Sequence, residues 1–164
     1  MTKRIAVNDE GGVFRADISS RTDIEALVET FYSRAFVDNL IGPLFVDVAQ
    51  MDLSAHLPVI ADFWEVTLLR TGSYRRNALR PHVELHEKSP ITPEHLLRWL
   101  DIWSSTVDNL HSGPRAEFAK EQARRIAYSM GRRLHGESAG DFITIERPDL
   151  PPGFTARNVD HTSP

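Results

Sequence analysis

The stretch LRPHVELHEK, residues 79–88, sets His82 and His86 four positions apart, and His56 stands upstream among apolar residues. On a helical turn, residues at this spacing share a face with their bases about 6 Å apart, near enough to grip one small metal ion. The alternative is that one histidine is a sole ligand and the other has a different task. Other common chemistries lack their residues. The chain has no cysteine, which excludes thiolate metal sites, disulfides and cysteine nucleophiles. It has no Gly-rich phosphate loop, no HExxH and no EF-hand loop. A di-iron bundle needs Glu-x-x-His motifs turned inward from several helices, whereas the inward stripes here are nearly pure hydrocarbon.

Those stripes define the elements that must carry the histidines. Thr22 and Glu25 have capping-box spacing. Behind them Ile24, Leu27, Val28, Phe31, Tyr32 and Ala35 fall on one face of a helix expected to end near Asn39. Gly42-Pro43 then makes a turn that closes on Phe45. A second helix is expected from about Asp52 to Arg70, with Leu53, Leu57, Ile60, Trp64 and Leu68 as its stripe. Pro58 is tolerable there only near the first turn. The segment around His82 has room for one or two turns before Ser89-Pro90. Thr92-Pro93-Glu94 restarts the chain as a helix with Leu96, Trp99, Leu100, Trp103, Val107 and Leu110 inward. A last helix, about 115–135, presents Ala116, Ala119, Ala123, Ile126, Ala127 and Met130. The expected organisation is all-α: a loose arm over 1–18, one domain over 19–135 and an extended or disordered tail over 136–164.

Composition limits the partners. A chain of 164 residues with 41% hydrophobic and 26% charged residues is that of a globular protein with a real core. A net charge of −4 and scattered arginines give no reason to expect nucleic acid. No apolar run approaches the ~20 residues of a membrane span, and the N-terminus has no signal-peptide core. A cytoplasmic location is expected.

Each histidine taken alone is more often structural than a ligand. Together, His56 on a long helix and His82 on the next segment face a space bordered by Phe31, Tyr32, Phe45, Ile60, Phe63 and Trp99. Large apolar walls, one axial nitrogen and a few polar groups are what a flat apolar metal cofactor requires. The segments ETFYSRAFVDNLIGPLF (29–45), HLPVIADFWEVTLL (56–69), GSYRRNALRPHVEL (72–85), ITPEHLLRWLDIW (91–103) and FAKEQARRIAYSM (118–130) keep an order and approximate spacing that resemble the truncated haemoglobins, most like group III. The resemblance covers roughly residues 20–135.

It implies a shortened globin fold, a 2-over-2 helical sandwich around haem b (iron protoporphyrin IX). It also implies reversible binding of dioxygen, nitric oxide or carbon monoxide. Redox chemistry on nitric oxide or peroxide, with a reductase partner, is compatible with the same site. By the match His82 is the proximal iron ligand, and Tyr32 and Trp99 are distal donors to a bound diatomic. His56 is the distal-helix histidine, more a gate than a constant contact. Phe45, Ile60, Phe63 and Trp64 would wall the pocket with Phe31, while Trp103 is core. Tyr74, Arg76, Arg80 and His86 are candidates for the haem propionates. Pro58 departs from a regular distal helix. Two readings compete with this one: a haem-free helical sensor or interaction module with structural histidines, and a non-haem metal held by His82 and His86 together.

Overall fold

A computed structural model describes residues 14–77 and 79–136. The expected tail from 137 onward, and the arm as far as residue 13, lie outside the described residues. Five α-helices form: α1 Arg21–Phe36, α2 Leu53–Leu69, α3 Leu79–Lys88, α4 Pro93–Leu110 and α5 Pro114–His135. A π-helical turn, Leu44–Val48, lies between α1 and α2. No strand occurs among the described residues.

Helix α1 starts earlier than the Thr22–Glu25 spacing suggests. Ser20 is the N-cap, and Asp23 at the third helical position completes the box by accepting from the Ser20 N–H. The shorter Ser–Asp pair also collects the Ser19 N–H, satisfying donors that Thr22 and Glu25 leave unmet. The helix stops at Phe36, three residues before the expected end, and the chain turns through Gly42. A side chain there is impossible without movement, because a Cβ would come within 2.6 Å of the Phe36 carbonyl oxygen.

Asp52 caps α2, and Arg70, in the left-handed region, ends it two residues before Gly72. Pro58 sits inside α2 without breaking it. Its missing N–H deprives only the carbonyl of Ser54, an exposed residue in the first turn where water can substitute. Helix α3 runs ten residues, longer than the one or two turns expected. The helical geometry continues through Lys88 because Pro90 excludes it only from the following residue.

Helix α1 packs on α2 and on α4, and α4 packs along α5. Their common core holds Phe31, Trp64 and Trp103, the last two stacked with centroids 4.3 Å apart. Arg21 ties the first pair together: its guanidinium donates to Asp62 at 2.6 Å, to Glu65 at 2.7 Å and to the Pro58 carbonyl at 3.2 Å.

The end of the N-terminal arm is fastened. Ile18 is fully buried. The Asp17 carboxylate accepts from the N–H groups of Arg115 (3.0 Å) and Ala116 (2.8 Å), and so caps α5 from a distant part of the chain. This explains Gly113, whose φ of 144° suits glycine and where a Cβ would fall 2.6 Å from Asp17. Burial disfavours the charged carboxyl. The backbone N–H groups of Arg115, Ala116 and Ile18, with the charge of Arg115, outweigh it and hold Asp17 below its ordinary value of 3.8. The stabilisation is therefore present above the unfolded value and is lost as pH falls through the folded one. Asp17→Ala is expected to cost about 1 kcal/mol at pH 7. In urea titrations the gap from the parent protein should narrow at pH 2.5; a constant gap would mean that the charge contributes nothing.

Candidate functional site

Between α3, α4, α5 and the π-helical turn lies a cavity enclosing about 660 Å³ of empty space, mouth included. Its lining is mostly hydrocarbon. Helix α1 and the following turn supply Tyr32, Ile41, Leu44 and Phe45, and α3 supplies His82 and Leu85. Ile91 comes from the turn before α4, His95, Leu96 and Trp99 from α4 itself, and Ile126, Ala127 and Met130 from α5.

Each polar group reaches the cavity through its element. Tyr32 lies one residue beyond the buried Phe31, so it faces the side of α1 turned to the π-helical turn. Its ring meets Phe31 and Phe45 edge-on, with centroids 4.9 and 5.7 Å away. Burial pushes its hydroxyl well above the ordinary tyrosine range, so it remains a protonated donor. Trp99 lies one turn before Trp103 and is parallel to it at 6.2 Å, which fixes the indole from behind. Neither the Tyr32 hydroxyl nor the Trp99 indole N–H has a hydrogen-bond partner among the described residues. His95, at the third position of α4, accepts the Thr92 N–H at Nδ1 over 3.0 Å, leaving its proton at Nε2 when the ring is neutral.

The structure thus brings His82, Tyr32, Trp99 and Phe45 to one cavity. It does not bring the other expected residues there. Phe31 and Trp64 are buried behind it in the aromatic core, and Phe63 packs its ring on Tyr74 at 5.4 Å. Ile60 packs against the core from α2. Their hydrophobic stripe could not distinguish a cavity wall from the packing behind it. His56 is exposed, and its ring Nδ1 lies 2.8 Å from the Asp52 carbonyl of its own helix start. Arg76 is exposed, and Arg80 pairs with Glu84 at 2.9 Å on the outer face of α3.

His86 turns away from the cavity, its Nδ1 accepting the Ile91 N–H at 2.9 Å. His82 and His86 therefore do not converge on one ion, and no cluster of three His, Asp or Glu side chains suited to a metal occurs among the described residues. Of the lining residues that the sequence reading missed, Leu96, Ile126, Ala127 and Met130 belong to the inward stripes expected of α4 and α5, while Ile41, Leu44, Leu85 and Ile91 carry no expected role. His95 was missed because it follows Thr92-Pro93-Glu94 as part of a helix start. No helix among the described residues is long and apolar enough to cross a membrane.

No family model matches the chain. A group 3 truncated haemoglobin of Campylobacter jejuni is 24% identical over 119 residues, spanning 71% of this chain and 91% of that relative. The crystal structure of a group III truncated haemoglobin from Campylobacter jejuni aligns with a TM-score of 0.66 at 21% identity, covering 76% of this chain and 98% of that one. The chain has the shortened globin fold. The sequence likeness to group III is found in both comparisons.

Proposed function

We propose that this chain is a truncated haemoglobin of group III, holding haem b through His82 and reversibly binding dioxygen or a related diatomic. The observation that carries the reading is the cavity itself: hydrocarbon walls, one imidazole on α3, and two donors, Tyr32 and Trp99, without a hydrogen-bond partner among the described residues. Haem, when bound, would supply an iron able to take an imidazole nitrogen from the protein and a gas ligand. The residues supply the remainder. His82 offers an imidazole nitrogen from a helix beside the cavity. Tyr32 and Trp99 can only improve their hydrogen bonding by donating to a guest, and a diatomic that gains negative charge is the better acceptor. The hydrocarbon walls exclude water that would compete for those donors. His56 is proposed as a gate rather than a standing contact, a reading supported by its exposure at the start of α2. Tyr74, Arg76 and Arg80 are proposed for the charged rim of the haem, and His95 adds a donor inside the cavity.

Purified protein with haem should show a Soret band that shifts on adding carbon monoxide; a well-folded protein that takes up no haem would leave the haem-free helical module as the better description. Tyr32→Phe removes one donor to a polarised ligand. A hydrogen bond to a charged acceptor is worth roughly 1.5–3 kcal/mol, so dioxygen release should speed up by about 10- to 100-fold in stopped-flow measurements. An unchanged rate would transfer that role to Trp99. Whether the bound gas is stored or reacts with nitric oxide or peroxide depends on turnover with a reductase partner, since the same donors serve both. The reading carries a cytoplasmic location with it.

A further inference from the structure

The turn between α3 and α4 is Ser89-Pro90-Ile91-Thr92-Pro93. Proline has no N–H, so only Ile91 and Thr92 can donate from the segment 90–93, and histidine takes both. The Ile91 N–H donates to Nδ1 of His86 on α3 (2.9 Å), and the Thr92 N–H to Nδ1 of His95 on α4 (3.0 Å). Nε2 of His135, the last residue of α5, lies 2.6 Å from the Ile91 carbonyl and donates to it. The His86 and His135 rings meet edge-on at 5.1 Å. Three helices therefore send histidines to one two-residue stretch. Its Ile91 side chain is only 5% exposed and lines the cavity.

Helix α3 needs such a fastening because it has no fully buried residue of its own. The usual way of fixing a helix, a packed apolar stripe, is weak here. Yet α3 carries His82, one turn before His86 and roughly 6 Å from it on the same face. A rotation of α3 that turned His82 away from the cavity would also withdraw Nδ1 of His86 from the Ile91 N–H.

We propose that His86, braced by His135, is a positioning residue that holds α3 through the Ile91 backbone and so sets the approach of His82 to the haem. This rests on the haem reading above. The task of His86 is to accept one N–H at Nδ1, with its proton at Nε2, and it touches neither iron nor gas.

Two variants separate acceptor from bulk. His86→Phe keeps a ring without an acceptor, whereas His86→Asn keeps an acceptor atom at the δ position. The latch itself is read by hydrogen exchange of the Ile91 amide, a measurement that does not depend on haem. His86→Phe should speed that exchange about 3- to 10-fold, the effect of losing one ordinary hydrogen bond, and His86→Asn should restore it. Positioning is read on the haem-loaded protein from the ferrous iron–histidine stretching band and the rate of haem loss. The band should shift or broaden and the loss rate rise in His86→Phe, with recovery in His86→Asn. Unchanged Ile91 exchange in His86→Phe overturns the latch. Faster exchange with an unaltered band and loss rate shows a latch that positions nothing. If the parent protein takes up no haem, the positioning role falls together with the haem reading, and the exchange data still decide whether the latch exists.

Discussion

Replacing His82 by alanine is expected to abolish the ferrous iron–histidine stretching band and to raise the rate of haem loss by at least an order of magnitude. The cavity offers one further imidazole, that of His95, but its Nδ1 is engaged by the Thr92 N–H and its helix start is fixed by the capping box. Added imidazole should restore a nitrogen-ligated spectrum, since the walls of the cavity are untouched. His86→Ala provides the contrast: it should disturb the same band while leaving a histidine ligand in place. Equal and complete losses in the two variants would favour a metal shared by both. That outcome would also conflict with the commitment of His86 Nδ1 to Ile91.

Trp103→Ala is expected to be the most damaging single change to stability. The side chain is 1% exposed, stacks on Trp64 at 4.3 Å, and donates from its indole N–H to the Ala119 carbonyl at 3.2 Å. Truncating a buried tryptophan removes its transfer energy and leaves a cavity, together about 3–5 kcal/mol. That is a large share of the roughly 5–15 kcal/mol that holds a domain folded. The melting temperature should fall by about 10–20 °C, and the urea midpoint should drop with little change in slope. Trp103 also supports Trp99 from behind at 6.2 Å, so dioxygen release should accelerate in whatever fraction stays folded. A loss below 1 kcal/mol would mean that the aromatic stack contributes packing the neighbours can replace.

Much of this protein was open to reading from its residues. The stripes of α1, α2, α4 and α5 follow from helical periodicity, because a face that must leave water repeats every three or four positions. Thr92-Pro93-Glu94 announced α4 because capping and proline placement are local chemistry. Cap choice was harder: Ser20 and Thr22 both offer a hydroxyl, and the extra N–H of Ser19 decides between them. The length of α3 is hard to read because it has no fully buried residue, Ser89-Pro90 follows closely, and its far end is fastened by the turn.

The sequence by itself determined the all-α character, the order of the helices, the absence of thiol chemistry and the family likeness that singles out His82, Tyr32 and Trp99. These depend on local preferences, on composition or on matched segments. Only the tertiary structure decided which apolar residues wall the cavity and which pack behind it, since Trp64 and Phe45 carry the same hydrophobic signal. It alone showed Asp17 reaching across the fold to cap α5. It also separated the two histidines of LRPHVELHEK, turning one to the cavity and the other to a backbone N–H. Spacing along a chain records what can share a face, but the partner that face meets belongs to another helix.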